Sequence, residues 1–400
     1  MTGDAALFPG VFLEEAREGE AQLVAWRRHL HRHPELAYEE RETSLWVAKR
    51  LEEMGIADIR LGCEGFETGV VADIGGKGPL VALRADMDAL PVTEETGLPF
   101  ASEVAGRMHA CGHDAHVAIL LGAARILALR ASSLSHRVRL IFQPSEEAAV
   151  PRPGAEAMIA SGALKDVEAI FGLHVWQPLE AGLIGWSDGA LMASSDRWTV
   201  TIEGRGGHGA MPHEAVDPTV AAGSFLMALQ TVVSRQTDPL ESIVVSVGSL
   251  RSGEAFNVIP DRVVIEGTAR TLSPELRDGL PERIERIAVG TARAFRCGAV
   301  LDYRRNLPPV VNDEAMAGYA RFVAETLFGS RRLTRLRPTM AGEDFSFYLE
   351  KVPGAFLLLG MGGRGGADWP HHHPRFQVDE SVLAEGAALL ASLAWRFPRS

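Results

Sequence analysis

LVALRADMD, residues 80–88, is a short apolar run that ends in two carboxylates. It lacks the polar alternation of a strand with one wet face, and it is too short to read as a packed helix. Three more runs have the same character: GVVADI (69–74), VRLIFQ (138–143) and AIFGLHV (169–175). All are rich in β-branched and large apolar residues. Helical stretches near 114–130 and 154–161 separate some of them. Strands apolar on both faces and joined by helices predict an α/β domain, with a mixed or parallel sheet covered by helices.

On the N-terminal side, Phe12, Ala16, Leu23 and Trp26 recur at helical spacing, which predicts a helix over 13–31. A second helix is expected over 42–54, started by Thr43 or Ser44 and stopped at Gly55. On the C-terminal side the pattern changes. Strand 196–204, helix 217–236, strand 242–250, strand 261–271, helix 274–296 and strand 298–304 give the order βαββαβ, a ferredoxin-like unit with a small core of its own. Helices near 313–328 and 380–397 flank AFLLLG (355–360), a strand expected to rejoin the first sheet. The expected organisation is therefore a catalytic domain over 1–190 and 305–400, interrupted by an inserted domain over 191–304. GMGGRGG (360–366) reads as a loop.

Bulk properties narrow the function. The 400 residues carry a formal charge of −12, and mean hydropathy is +0.03. An acidic surface disfavours nucleic acid and anionic membranes, both of which select basic patches. No basic, then apolar, leader opens the sequence, and VAILLGAARILAL (117–129) is too short to span a bilayer. Three widely spaced cysteines, Cys63, Cys111 and Cys297, do not build a disulfide framework, so a cytoplasmic location is expected.

Metal-binding residue types gather beside the predicted strand ends. Cys111 and His113 are two apart, as residues of an extended segment facing one way would be. They read either as a ligand pair or as a buried cysteine beside a helix-capping histidine. Glu146-Glu147 follows VRLIFQ. One carboxylate could bind metal while the other takes a proton, or both could be solvated. Asp86 and Asp88 close LVALRA, where one could steady a ligand histidine or both could serve a turn. His174 ends AIFGLHV, and His371-His372-His373 precedes Pro374. Ligands collect at carboxyl ends of strands in open α/β sheets, and a shared site explains all of these placements together.

Other chemistries fail. HExxH, GxSxG and Walker-A strings are absent. Gly204-x-Gly206-x-x-Gly209 matches a dinucleotide string, but Met211-Pro212 interrupts the helix that should follow it.

A family resemblance adds to this reading. ALRADMDALPV (82–92), MHACGHDAHVAILLGAA (108–124), IFQPSEEA (141–148), FGLHVW (171–176), GGHGAMPH (206–213), NVIPD (257–261), GTART (267–271), GEDFSFYL (342–349) and HHPRF (372–376) occur in order, with HRHPELAYEE (31–40) before them. Together they resemble the N-acyl-amino-acid amidohydrolases, the group of hippurate hydrolase and auxin-conjugate hydrolase, within the aminoacylase and carboxypeptidase-G-like metallopeptidases. The resemblance implies two divalent ions per subunit (Zn, Mn, Co or Ni) held by Cys111, His113, Glu147, His174 and His372. It implies Glu146 as general base and Asp88 as the aspartate that steadies a ligand. The inserted domain would be a lid and dimerisation domain, making the protein a homodimer or higher oligomer. There His208 would steady the oxyanion, and Asn257 and Arg270 would meet the polar end of an N-acyl amino acid. The wider superfamily often has a histidine and a bridging aspartate where this chain has Asp86 and Cys111. A dipeptidase or carboxypeptidase is the alternative enzyme, and a non-catalytic ligand- or metal-binding relative the alternative of another class.

Overall fold

The first segment of the chain builds helices before strands. The computed structural model describes residues 8–148, 152–363 and 368–397. Where one helix was expected over 13–31, α1 (Phe8–Glu18) and α2 (Glu20–Arg32) meet at Gly19. At this break the Arg125 guanidinium donates to the Glu15 carbonyl (2.9 Å), in the space a side chain at 19 would fill. Helix α3 (Arg41–Glu53) contains Thr43 and Ser44 and is not capped by them. The Thr43 N–H donates to Glu35 Oε2 (2.8 Å), and Ser44 Oγ donates back to the Glu40 carbonyl (2.6 Å).

The elements that follow are β1 (Asp58–Cys63), β2 (Phe66–Ile74), β3 (Leu80–Asp86), α4 (His113–Ala128), β4 (Arg137–Gln143), α5 (Gly154–Ala160), β5 (Val167–Glu180) and β6 (Ile184–Trp186). Next come β7 (Ala190–Met192), β8 (Ser195–Glu203), β9 (Gly207–His208), α6 (Pro218–Gln236), β10 (Ile243–Ser252), β11 (Val258–Ile259), β12 (Arg262–Thr271), α7 (Pro274–Ala294), β13 (Gly298–Leu307) and β14 (Val310–Val311). The chain ends with α8 (Glu314–Phe328), β15 (Leu333–Arg335), α9 (Ser346–Leu349), β16 (Gly354–Gly362) and α10 (Leu383–Trp395). Of the glycine-rich piece read as a loop, Gly360–Gly362 belongs to β16, and 364–366 lie outside the described residues.

Two compact units emerge. The first takes Met1–Gly189, Val311–Arg337 and Asp344–Ser400, and the second Ala190–Val310 and Pro338–Glu343. The first unit holds a mixed sheet in the order β1-β2-β4-β3-β5-β16-β6-β15. Its centre, β4-β3-β5-β16, is parallel, and every residue of β3 and β16 is buried. That is why those runs show no alternation: helices cover both faces of a parallel sheet. Helix α4 is apolar nearly all round because it packs on β3 and also against α2 and α10.

The second unit pairs its strands antiparallel in the order β10-β12-β8-β13, with α6 and α7 supplying the helices of a βαββαβ fold. Strand β8 alternates, burying Asp196, Trp198, Val200 and Ile202. Trp198 packs with Phe225, Leu229, Leu280 and Ile284 in this unit's core. Asp217 caps α6 through the Thr219 N–H (2.8 Å), and Ser273 caps α7 through Leu276 (3.1 Å). A two-stranded ribbon, β9 with β11, pairs His208 with Val258. Gly209, last of the dinucleotide-like string, follows it. Its N–H donates to the Asn257 carbonyl, and a Cβ there would lie 2.9 Å from that oxygen. Close strand approach, not a nucleotide, accounts for this glycine. No helix among the described residues is long and apolar enough to cross a membrane.

Asp196 accepts Arg277 through Nε and Nη2 (3.0 and 2.8 Å), and also Tyr303 Oη (2.9 Å) and the Asn306 N–H (3.2 Å). Asp196→Ala leaves the largely buried Arg277 without that partner and should cost about 3–5 kcal/mol, read by urea unfolding. A loss below about 1 kcal/mol would contradict this account.

Candidate metal centre and active site

Cys111 and His113 converge by a route other than the expected one. The segment is not extended: Gly112, at φ 103°, forms a left-handed turn into α4, whose first residue is His113. A Cβ at 112 would lie 2.5 Å from Val175 Cγ2, so only glycine fits the turn. His174 also differs from expectation, because it lies inside β5, which continues to Glu180. The β3–β5 ladder stops at Arg84–Gly172, so His174 stands two residues beyond it, level with the loops that follow β3.

The result is a cluster within the first unit. The ligand atoms of Cys111, His113 and His174 lie within 4.8 Å of one another, as do those of Cys111, Glu147 and His372, and those of His113, Glu146 and Glu147. Cys111 Sγ is 3.4 Å from His174 Nε2, His372 Nε2 is 3.2 Å from Glu147 Oε1, and His113 Nε2 is 3.8 Å from the same oxygen. Donors sharing one tetrahedral ion at ordinary bond lengths sit roughly 3.3–3.6 Å apart, so these separations suit bridging by a cation.

Hydrogen bonds fix which ring nitrogen of each histidine faces the cluster. His113 Nδ1 donates to the Asp88 carbonyl (2.9 Å) and approaches Asp88 Oδ1 (3.2 Å), leaving Nε2 as the lone pair. His174 Nδ1 donates to the Val175 carbonyl (2.6 Å), leaving its Nε2 toward Cys111. His113 Nε2 is buried without a hydrogen-bond partner among the described residues, and buried Glu147 Oε1 faces the His113 and His372 rings. Orphaned acceptors of this kind need a counter-group, and a divalent cation supplies one.

The same bookkeeping separates the three consecutive histidines. Gln177 N–H donates to His371 Nε2 (3.2 Å), so Nδ1 carries the proton and donates to the Cys111 carbonyl (3.2 Å). Both nitrogens of His371 are spent. His373 stacks on Trp369 and accepts the Arg375 N–H (3.1 Å). His372 directs Nε2 at Glu147 from a backbone with φ 68°, a conformation that costs a non-glycine residue energy and marks a constrained position.

The charges in the cluster suit a cation site. Burial, then the Glu147 carboxylate, pushes the Cys111 thiol well above its ordinary value. Burial opposes charge on His113, but Asp86, Cys111 and Asp88 outweigh it and raise that ring well above the usual histidine range. A divalent ion would replace both protons. Burial, then His116, holds His174 well below its ordinary value, in the neutral form a ligand needs.

Asp88 organises the acidic pair. Its Oδ1 accepts the Glu146 N–H (3.0 Å) and its Oδ2 the Glu147 N–H (2.9 Å). Sequence reasoning left His116 without a role. Its Nε2 accepts the Val175 N–H (2.9 Å), so Nδ1 donates to Asp86 Oδ1 (2.5 Å). Asp86 also accepts Arg84 (2.7 Å), which reaches Asp344 (2.7 Å), itself held by Gln143. The i, i+3 spacing of His113 and His116 on α4 was the available signal. The other expected site residues belong to the second unit. His208 is exposed, with Nδ1 accepting the Ala210 N–H (3.0 Å). Asn257 is exposed beside the ribbon, and Arg270 donates to the Met340 carbonyl (2.9 Å).

Comparison with known proteins agrees with this chemistry. Residues 82–396 match the family described as peptidase family M20/M25/M40. The chain is 44% identical to an N-acetyl-L-cysteine deacetylase of Bacillus subtilis, covering 94% of this chain and 88% of that one. It is 41% identical to an IAA-amino acid hydrolase (ILR1-like 5) of Arabidopsis thaliana, covering 99% and 92%. A crystal structure of a dinuclear metal-binding peptidase of the M20 family from Bacillus subtilis superposes with TM-score 0.83 at 39% identity, covering 94% and 98%.

Only one of the three thiols stands in the cluster. Cobalt(II) should therefore give a thiolate charge-transfer absorption that Cys111→Ser abolishes and that Cys63→Ser and Cys297→Ser retain. Persistence of the band in Cys111→Ser would contradict ligation by this residue.

Proposed function

Because this chain belongs to peptidase family M20/M25/M40, we propose that it is a metal-dependent amidohydrolase that cleaves the amide bond of N-acyl amino acids. Water is consumed, and a carboxylic acid and a free amino acid are released. The observation that carries the reading is the convergence of Cys111, His113, Glu147, His174 and His372 beside a second carboxylate, Glu146. The names of the deacetylase and amino-acid-conjugate hydrolase relatives support the substrate class.

The five clustered side chains are proposed to hold two divalent ions, drawn from Zn, Mn, Co or Ni. Bound there, such ions would supply Lewis acidity, acidifying water and polarising the amide carbonyl. Glu146, displaced from Glu147 by one residue, takes the proton of the attacking water and returns it to the leaving amine. Asp88 keeps the His113 ring in one tautomer and holds the backbone of the acidic pair. His208 is assigned the developing oxyanion, Asn257 the polar groups of the substrate, and Arg270 its carboxylate, whose geometry suits a guanidinium fork. The first unit is assigned catalysis, and the inserted unit the roles of lid and dimer contact. Three free, buried cysteines support a reducing, cytoplasmic setting.

Glu146→Gln should keep its metal and lower kcat by roughly 10²–10⁴. The assay is a panel of N-acetyl and N-benzoyl amino acids run beside dipeptides after reconstitution with each metal. Undiminished turnover in Glu146→Gln removes that residue as base. Preference for dipeptides would make the enzyme a dipeptidase, a reading favoured by the peptidase among its structural neighbours.

A further inference from the structure

The string HRHPELAYEE (31–40) ends on Glu40, a residue with no role in the chemistry above. Glu40 is fully buried, and so is Ser145. Glu40 Oε1 accepts the Ser145 N–H at 2.8 Å across 105 residues of sequence. Ser145 has φ 53°, in the left-handed region that a residue with a side chain adopts only when its surroundings hold it there. The next two amides, of Glu146 and Glu147, donate to Asp88. Three consecutive N–H groups are thus captured by two buried carboxyl groups from distant parts of the chain.

We propose that Glu40 is a positioning residue: it clamps the left-handed turn at Ser145 from which Glu146 and Glu147 both reach the cluster. This rests on the roles proposed above for those two glutamates. Asp88 holds the backbone on the far side of the turn but makes no hydrogen bond to Ser145 N–H. Ser145 Oγ donates to the Ala148 carbonyl (3.0 Å), its carbonyl accepts the Gly154 N–H (2.9 Å), and its side chain also meets Tyr38, but none of these contacts takes up the Ser145 N–H. Without Glu40, Ser145 can relax to negative φ, which rotates the following peptide and carries both carboxylates out of place. Packing alone does not explain a carboxyl here. Glu40 Oε2 is buried with no hydrogen-bond partner among the described residues, an arrangement that costs stability and that an apolar side chain of similar size would avoid.

The test compares Glu40→Gln, Glu40→Asp and Glu40→Ala with the parent protein. Zinc affinity is read by chelator competition, and kcat and KM at saturating zinc. Glu40→Gln keeps an acceptor in place and should match the parent within about threefold. Glu40→Asp withdraws the acceptor by one methylene and keeps the carboxyl group, and Glu40→Ala removes the acceptor. Both should weaken zinc about 10–100-fold, as loss of groups that orient ligands does. Their kcat should fall by a similar factor while KM stays within about twofold. If Glu40→Ala does not fold, Glu40→Asp decides. Parent-like zinc affinity in Glu40→Asp, or equal damage in Glu40→Gln and Glu40→Ala, overturns the proposal. Zinc competition needs no substrate. A parent protein that hydrolyses no acyl amino acid would defeat the functional reading, and the affinities would still decide the role of Glu40.

Discussion

Asp88 is buried and meets three donors at once: the N–H groups of Glu146 and Glu147, and Nδ1 of His113. Hydrogen bonds to an ionised acceptor in a poorly solvated interior are strong and directional. Through these contacts one carboxylate sets the tautomer of a histidine and the path of the acidic pair. The orientation of the His113 ring and the backbone from which Glu146 and Glu147 enter the cluster follow from it. The loop after β3, the start of α4 and the loop after β4 are thereby fixed to one point.

The surroundings explain how so much charge is tolerated in the interior. Arg84 meets Asp86 and Asp344, and Asp344 also accepts Gln143 and the Ala155 N–H. Arg27 and His31 meet Asp114 on the next residue of α4 after His113. Each of these buried acids has a basic or N–H partner, which offsets the desolvation that an isolated charge would suffer. These networks reach α4 from both sides, and its apolar remainder is locked in the core between β3 and α10. A helix held in this way resists shifting when the clustered donor atoms repel one another. A cation site needs such rigidity, because its donors must stay close while carrying like charge or facing lone pairs.

Much of the architecture was legible because burial patterns are local. LVALRA, VRLIFQ and AIFGLHV lie within β3, β4 and β5, and the βαββαβ order of the second unit follows from periodicity and from caps such as Asp217. AFLLLG joined the first sheet beside β5, as its apolar run required. The errors lie where a distant group intrudes. Arg125 breaks the first helix at Gly19, and Glu35 and Glu40 take the hydrogen bonds that would have made Thr43 or Ser44 a cap. The short strands β6, β15, β9 and β11 carry too few residues to show a period.

For the site, residue type and placement nominated Cys111 and His113, the pair Glu146-Glu147, His174 and the run His371–His373, and the family resemblance singled out Glu147 and His372 among them. Their spacing was not enough to explain how they meet. Cys111 and His113 were read as neighbours on an extended segment, yet a left-handed glycine turns one toward the other at the start of a helix. His371 and His372 are identical letters, and only the Gln177 amide, 194 residues away, decides that His371 has no nitrogen left. The sequence by itself determined the inventory of donors and the apolar frame, because side-chain chemistry and periodic burial are written residue by residue. The tertiary structure decided which lone pair is free, which carboxylate is tethered and which backbone is strained. Those depend on hydrogen bonds whose two ends are far apart in the chain.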